Sequence, residues 1–312
     1  MNKISLIFIG TGDIGVPLLE SLANDDRFDV KLVITQIDKP AGRKMKLTPS
    51  PIKVRSEKLE VRIFQPDDIN VAESLEIIQK AYPDMIVLMA YGQILKKELL
   101  DIPKLGCINV HASLLPKYRG ASPVQQSLLN QDEKTGISIM KMTEKMDSGP
   151  VYKQSELPIS DDDNALTLID RLANLSAYET PDLLYTIAQG DLSPTPQDDS
   201  QASYCEKIQK SDGQINWNED AKTIHAKIRA YTGWPGTFTF WNNKRLKIIS
   251  GQADAYDEVE PGKVIEKDYL IFIGTKKGSI VPDDVQLEGK TVQDINAFIK
   301  GYPDFIGSKL GE

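Results

Sequence analysis

The stretch ISLIFIGTGDIGVPLLESL, Ile4–Leu22, joins an apolar run to a glycine-rich turn and then to a helical pattern of leucines. Its glycines, Gly10, Gly12 and Gly15, have the GxGxxG spacing. A strand, a glycine turn and a helix in this order predict the first unit of an α/β fold with a parallel sheet. The same fingerprint is typical of dinucleotide-binding enzymes, so the stretch raises a question of function as well as of fold.

Apolar runs and helical patterns alternate through the first half of the chain. The predicted strands are Ile4–Ile9, Val30–Thr35, a short run from Ile63, Met85–Ala90, Gly106–His111, Ile137–Met142 and Val151–Gln154. The predicted helices are Val16–Ala23, Ile52–Leu59, Ala72–Ala81, Val124–Asn130 and Ala165–Gln189. This alternation predicts an α/β fold: a Rossmann-like, mostly parallel sheet with helices on both faces. Ligands of such sheets bind at the carboxyl ends of the strands.

The polar, proline-containing segment GDLSPTPQDDSQAS lacks periodicity and is typical of an interdomain linker. We expect a catalytic domain at residues 1–189, a linker at 190–204 and a second domain at 205–312. All three tryptophans follow the linker, together with short β-like segments and one helical pattern, Ala221–Ala230. These features favour a small β-barrel, in which we expect Trp217 to pack in the core.

Composition excludes several classes of protein. The net charge of −8 excludes a globally basic nucleic-acid binder, although residues 39–58 hold seven basic side chains against one acid, Glu57. The two cysteines, Cys107 and Cys205, form neither a disulfide framework nor a zinc pattern, and we expect no metal. We see no signal peptide and no membrane-spanning run, and we expect a cytoplasmic protein.

The segment GCINVHASLLPKYRGASPVQ contains one of only two histidines in the chain. On a strand, Asn109 and His111 project to the same face near its carboxyl end, where an amide and an imidazole can stabilise an oxyanion. Asp147 precedes the turn Ser148-Gly149-Pro150 and could reach the same crevice. From spacing alone, a structural histidine, an edge-capping asparagine and an ordinary turn aspartate remain open alternatives.

The pair NVHASLLPKYRGASPVQ and DSGP closely resembles the signature of the folate-dependent formyltransferases. This resemblance implies that Asn109, His111 and Asp147 are catalytic and that 10-formyltetrahydrofolate is the formyl donor, with no metal. It also implies folate contacts from one strand end and two loops. These residues are Met89, Ala90, Tyr91, Gly92, Gln93, Ile94, Ser113, Leu114, Leu115, Pro116, Thr143, Glu144, Lys145 and Met146.

Two further segments resemble the branch of this family that formylates methionyl initiator tRNA. The segment containing PAGR resembles a loop that meets the tRNA acceptor stem, which implies tRNA contacts from Lys39, Arg43, Lys44 and Lys46. The stretch Gly213–Ile248, with its WPG turn, resembles a carboxyl-terminal barrel of the oligonucleotide-binding (OB) type that grips tRNA. The resemblance therefore implies methionyl initiator tRNA and folate as partners, and we expect a monomer that does not bind membranes.

Three alternatives remain. A sugar-nucleotide N-formyltransferase would use the same chemistry on an amino sugar, but the PAGR loop and the WPG domain argue against it. An NAD-dependent dehydrogenase would use Asp38 on the ribose, although Asp38 lies beyond the predicted strand, beside Lys39-Pro40. A non-catalytic RNA-binding module would leave Asn109, His111 and Asp147 without a role. The first turn, which usually reads GTP in the family, and the carboxyl-terminal tail depart from the family pattern.

Overall fold

The computed structural model describes residues 3–41 and 45–311, and the chain separates into two units by its backbone contacts. The first unit comprises residues 1–123, 134–158 and 169–206, and the second comprises 124–133, 159–168 and 207–312. The domain boundaries expected at 189 and 204 stay a prediction.

The strands and helices up to residue 205 are numbered in chain order. The first unit contains β1 (Ile4–Gly10), β2 (Phe28–Ile34), β3 (Lys39–Ala41), β4 (Lys46–Thr48), β5 (Ile63–Phe64), β6 (Met85–Met89), β7 (Cys107–His111), β8 (Arg119–Gly120), β9 (Lys134–Lys141), β10 (Val151–Pro158) and β11 (Tyr204–Cys205). The helices up to residue 189 are α1 (Val16–Ala23), α2 (Pro51–Lys58), α3 (Ala72–Lys80), α4 (Lys97–Leu100), α5 (Pro123–Leu129) and α6 (Ala165–Gln189). All of α5 except Pro123, and α6 as far as Leu168, belong to the second unit.

The first unit is built on a seven-stranded sheet in the order β10-β9-β7-β6-β1-β2-β5. The strands from β5 to β7 pair in parallel, whereas β9 and β10 add an antiparallel edge beside β7. Strands β6 and β7 are buried along their whole length, as their continuous apolar character predicts for a sheet covered on both sides. The predicted mostly parallel α/β sheet is confirmed.

In the glycine turn after β1, packing leaves room for a side chain at Gly12 but not at Gly10. A Cβ atom on Gly10 would lie 2.8 Å from the main-chain oxygen of Met89 on the neighbouring strand, so only glycine fits there. Gly12 has an ordinary φ of −79°, and a Cβ there would meet nothing within 4 Å. The GxGxxG pattern therefore marks a close strand-to-strand contact at Gly10, whereas Gly12 is not required by packing.

Among the short elements that periodicity did not predict are a helix and a hairpin of the first unit. The four-residue helix α4 follows β6, and the polar loop after β2 contains the hairpin β3–β4, in which Pro40 lies opposite Leu47. Both elements are too short to show a repeating apolar pattern, which needs about two turns of helix or four residues of strand.

The second unit contains a six-stranded antiparallel sheet. Its elements are α7 (Ala221–Ala230), β12 (Thr237–Trp241), β13 (Lys244–Asp254), β14 (Val264–Lys267), β15 (Leu270–Gly274), β16 (Ser279–Leu287), β17 (Gln293–Asp294) and α8 (Ile295–Gly301). The strands pair in the order β12-β13-β16-β15-β14, with β17 beside β16. The antiparallel sheet is established by these pairings, and its closure into an OB-type barrel stays a prediction.

The core of the second unit is aromatic. Trp241 packs edge-on against Phe298 and Phe305, with ring centroids 5.9 and 5.4 Å away. Trp217 is buried in the same cluster and donates its indole N–H to Thr239 at 3.0 Å, so its predicted core position is confirmed. Such aromatic pairs bury a large apolar area in a small domain, and their edge-on geometry stabilises it beyond the effect of that area.

Candidate active site

Strand β7 places Asn109 and His111 two residues apart on one face of the sheet. Both side chains are almost completely buried, with 6% of each residue exposed. The strand lies between β6, which is parallel to it, and β9, which is antiparallel. Both backbone edges of β7 are therefore hydrogen-bonded, so the sheet fixes the main-chain positions of Asn109 and His111.

Asp147 reaches this pair from the connection between β9 and β10. Its Oδ1 accepts a hydrogen bond from Asn109 Nδ2 at 3.3 Å, and its Oδ2 lies 3.7 Å from His111 Nδ1. Because β9 is antiparallel to β7, the end of β9 at Lys141 lies opposite Ile108, and the connection returns from there to Asn109. The structure thus brings the three predicted catalytic residues together, and their catalytic roles stay a proposal.

The orientation of His111 is set by a main-chain group that sequence reasoning missed. His111 Nε2 lies 2.9 Å from the carbonyl oxygen of Tyr118. A carbonyl oxygen only accepts hydrogen bonds, so Nε2 must carry the hydrogen and Nδ1 is the nitrogen that faces Asp147. The 2.9 Å hydrogen bond from Nε2 to the Tyr118 carbonyl is shorter than the 3.7 Å between Nδ1 and Asp147 Oδ2, so the carbonyl is the closer constraint on the ring.

The carboxylate of Asp147 is held by a second main-chain group, the N–H of Gly120, which donates to Oδ2 at 2.8 Å. Gly120 has a φ of +126°, and a Cβ there would lie 2.1 Å from the carbonyl oxygen of Cys205 in the adjoining strand β11. Both facts require glycine at this position. In the sequence, Gly120 within Tyr118-Arg119-Gly120 was the one feature that could have indicated this contact.

The predicted folate segments lie after three strands of the first unit. Met89 ends β6 and residues 90–94 follow it, with left-handed φ angles of +53° at Ala90 and +91° at Gly92. The Tyr91 carbonyl accepts hydrogen bonds from Thr11 and Gln36, while its ring is buried in the core and burial raises the pKa of its hydroxyl to about 12. Tyr91 therefore has a structural role in addition to any contact with folate.

The other residues of these segments differ in exposure. The amide of Gln93 bonds the backbone of Asp67 and Ile69, and Ser113 is buried and donates to the carbonyl of Lys117. In contrast, Ile94 is exposed, as is the whole stretch 143–146. Leu114 and Pro116 are partly buried, and Leu115 is buried. The predicted folate-binding set therefore contains both exposed and buried side chains. A bound ligand would contact the exposed ones, whereas the buried ones shape the loops.

Two of the predicted tRNA-contacting lysines, Lys39 and Lys46, lie on the hairpin β3–β4. Lys39 begins β3 and donates to the side-chain oxygen of Gln36, and Lys46 begins β4 on an exposed strand. Arg43 and Lys44 lie outside the described residues. Two apolar side chains of the hairpin, Met45 and Leu47, are 68% and 65% exposed, which is unusual for residues of this type.

Asp38, the candidate ribose contact of a dehydrogenase, is bound within the protein. Both of its carboxylate oxygens accept from Lys53 Nζ, at 3.0 and 2.8 Å, and Oδ1 also accepts from Gln65. The hydrogen bond from Gln65 and the ammonium of Lys53 hold the pKa of Asp38 below its usual range. A carboxylate with these partners is poorly placed to receive a ribose hydroxyl.

The described residues offer neither a metal-binding cluster nor a membrane-spanning helix. Within residues 3–41 and 45–311, no group of three histidine, cysteine, aspartate or glutamate side chains could hold a metal ion. In the same described ranges, none of the helices has both the length and the apolar character that a membrane crossing requires.

Comparison with protein-family models gives two matches that together span most of the chain. Residues 2–182 match the family described as formyl transferase. Residues 207–303 match the family described as formyl transferase, C-terminal domain. The matched ranges leave only the segment around residues 183–206 between them.

Similar proteins are found among curated sequences and solved structures. The methionyl-tRNA formyltransferase of Methylacidiphilum infernorum is 40% identical over 98% of each chain. The enzyme of the same name from Caldicellulosiruptor saccharolyticus is 40% identical over 96% of this chain and 97% of its own. The crystal structure of WlaRD, a sugar 3N-formyl transferase, obtained in the presence of dTDP and 5-N-formyl-THF, is 20% identical. It covers 93% of this chain and 100% of its own with a TM-score of 0.67, a likeness of fold alone.

Proposed function

The chain belongs to the formyl transferase family, and we propose that it transfers the formyl group of 10-formyltetrahydrofolate to the α-amino group of methionyl initiator tRNA. The observation that carries this proposal is the identity of 40% over nearly the full length of two methionyl-tRNA formyltransferases. This identity extends over both units, whereas the sugar N-formyltransferase of similar fold is only 20% identical, and we therefore propose the acceptor named for the two relatives.

The reaction requires stabilisation of a tetrahedral oxyanion. The methionyl amine attacks the formyl carbon, the new C–N bond forms, and negative charge develops on the formyl oxygen. The Asn109 amide has two hydrogens, of which one is directed at Asp147 and the other is available to that oxygen. His111 can donate from Nδ1 when the ring is protonated, because Nε2 is already engaged by Tyr118.

The reaction also requires removal of a proton from the attacking amine. We assign this step to the carboxylate of Asp147, which lies beside Asn109 and His111 and is held by the N–H of Gly120. Collapse of the tetrahedral intermediate then breaks the bond between the formyl carbon and the folate nitrogen, and that nitrogen receives a proton. Acid–base help of this kind typically contributes on the order of 10²–10⁴-fold in rate.

The surface of the hairpin β3–β4 favours tRNA as the formyl acceptor. It presents Lys39 and Lys46 together with the exposed Met45 and Leu47, so it offers both charge for phosphates and apolar surface for bases. We expect Arg43→Ala to raise the KM for charged tRNA and to leave the Kd for folate unchanged. Lys80→Ala, on the surface of α3 and paired with Glu76, is the matched control. An equal loss of both affinities would show that the hairpin is a structural lid.

A comparison of acceptors tests the proposed function directly. With 10-formyltetrahydrofolate as donor, we expect formylation of methionyl initiator tRNA and none of an amino-sugar nucleotide such as dTDP-linked 3-amino sugar. Formylation of the nucleotide alone would contradict the proposal and favour a sugar N-formyltransferase. We further propose that the enzyme is cytoplasmic, like the translation machinery that uses its product, and monomeric, which size-exclusion chromatography with light scattering would check.

A further inference from the structure

A chain of hydrogen bonds leads from a buried arginine to the backbone of Asp147. Arg119, in β8, is 2% exposed. Its Nε and Nη2 atoms both donate to Oε1 of Gln197, at 3.1 and 2.8 Å, and Nη2 also donates to Asp199 at 2.7 Å. A guanidinium has only donors, so Gln197 must turn its oxygen toward Arg119.

The orientation of Gln197 fixes what the other end of its amide can do. Its Nε2 points away from Arg119 and donates to two carbonyl oxygens, that of Asp147 at 2.9 Å and that of Gly149 at 2.7 Å. Both hydrogens of the amide nitrogen are therefore used, and they bracket the turn that carries Asp147. A flipped amide would put an oxygen against two carbonyl oxygens, which would be repulsive.

The turn at Asp147 is a conformation that needs external support. Asp147 has a φ of +49°, in the left-handed region that residues other than glycine adopt at a cost in free energy. Gly149 packs so tightly that a Cβ would lie 1.8 Å from the carbonyl oxygen of Lys141. Hydrogen bonds to the carbonyls of Asp147 and Gly149 are suited to holding such a turn in place.

Arg119 and Gly120 thus hold different parts of Asp147. The Gly120 N–H holds the carboxylate, and the Arg119 side chain, through Gln197, holds the main chain. Gln197 belongs to the stretch predicted from its composition to be an interdomain linker. The structure gives this stretch a second role, because Gln197 contacts the turn that bears the proposed proton acceptor.

We infer that Gln197, oriented by Arg119, is a positioning residue that fixes the place of the Asp147 carboxylate during formyl transfer. The inference rests on the proposed function. Gln197 acts through Asp147 and is assigned no contact with substrate. Displacement of a catalytic group by about 1 Å can lower a rate on the order of a hundredfold, so the loss of two hydrogen bonds to this turn should be visible in kcat.

The variant Gln197→Glu tests the inference because it keeps the size of the side chain. One carboxylate oxygen can still accept from Arg119, but the other would face the carbonyls of Asp147 and Gly149 without a hydrogen to donate. We expect kcat to fall on the order of tenfold to a hundredfold. The KM values for both substrates should stay within about twofold, because no substrate contact is removed.

Gln201→Glu is the matched control. Gln201 is exposed on the same segment and donates to Asp198, away from Asp147. We expect its kcat to equal that of the unaltered protein. Thermal unfolding of each variant checks that it is folded, and if Gln197→Glu unfolds, the uncharged Gln197→Met, of similar size, carries the same expectation.

A double-mutant cycle distinguishes positioning from a general structural role. If Gln197 acts through the Asp147 carboxylate, Gln197→Glu should lower kcat by less than about twofold when Asp147→Asn is already present. An unchanged kcat in Gln197→Glu, or effects of the two substitutions that multiply, would overturn the inference. If the unaltered protein itself fails to formylate tRNA, the proposed function fails instead. A crystal structure of Gln197→Glu then decides, since a displaced Asp147 turn supports positioning and an unmoved turn overturns it.

Discussion

At the scale of single residues, Asp147 is the most highly connected side chain of the candidate site. It is bonded by the amide of Asn109 and the N–H of Gly120, and it faces Nδ1 of His111. The sequence predicted this group because strand periodicity places Asn109 and His111 on one face and because the DSGP turn resembles the family signature. The Tyr118 carbonyl and the Gly120 N–H could not be predicted in the same way, since every residue carries such groups and only the fold aligns them.

Removal of the amide or the carboxylate should reduce catalysis more than stability. We expect Asn109→Ala and Asp147→Asn each to lower kcat by about a hundredfold or more, because an oxyanion donor or the proton acceptor is lost. Steady-state formyl transfer measures the effect, and circular dichroism checks the fold. Near-normal turnover by Asp147→Asn would contradict the role assigned to its carboxylate.

Cysteine chemistry offers a second prediction at this scale. Burial raises the pKa of the Cys107 thiol to about 12 and raises the pKa of Cys205 as well. At pH 8 only about one Cys107 in 10⁴ would be a thiolate, and the thiolate is the form that alkylates. We expect iodoacetamide to leave both cysteines unmodified in the folded protein and to modify both in guanidinium, as measured by intact-mass spectrometry. Rapid alkylation of the native protein would show that these thiols are not buried.

At the scale of elements, the glycine turn after β1 shows how a motif can predict a fold and leave its function open. The GxGxxG pattern correctly indicated a strand, a turn and a helix. The candidate site lies elsewhere in the sheet, at β7, and Asp38 is held by Lys53 and Gln65. The predicted linker, residues 190–204, stays a prediction, and the partly buried hydrogen bonds of Gln197 within it leave no trace in the composition of the segment.

The two glycines of the turn make a matched pair of substitutions. Gly10→Ala would place a methyl group 2.8 Å from the carbonyl oxygen of Met89, whereas Gly12→Ala would meet open space at an ordinary φ. We expect Gly10→Ala to lower the free energy of unfolding by about 1–3 kcal/mol and Gly12→Ala to change it by less than about 0.5 kcal/mol. Urea titration of the two variants checks this, and equal stabilities would contradict the packing described at Gly10.

At the scale of the whole molecule, family membership rests on both matched ranges, residues 2–182 and 207–303. The sequence predicted the parallel sheet of the first unit because its central strands are continuous apolar runs that alternate with helical patterns. It predicted the second unit only as a set of short strands, because antiparallel pairing order is decided by contacts distant in sequence. Helix α8, which no sequence pattern predicted, is an example: its Phe298 packs against Trp241 and Phe305 in the core of the second unit.

A formyl-transfer assay on two tRNAs tests the identity of the acceptor most directly. Initiator and elongator tRNAs, both charged with methionine, are each incubated with the protein and 10-formyltetrahydrofolate, and kcat/KM is measured for each. We predict rapid formylation of the methionyl initiator tRNA and formylation of the elongator species that is slower by at least about tenfold, or about 1.4 kcal/mol. Equal use of the two tRNAs would contradict the claim of initiator specificity, and formylation of neither would contradict the proposed function.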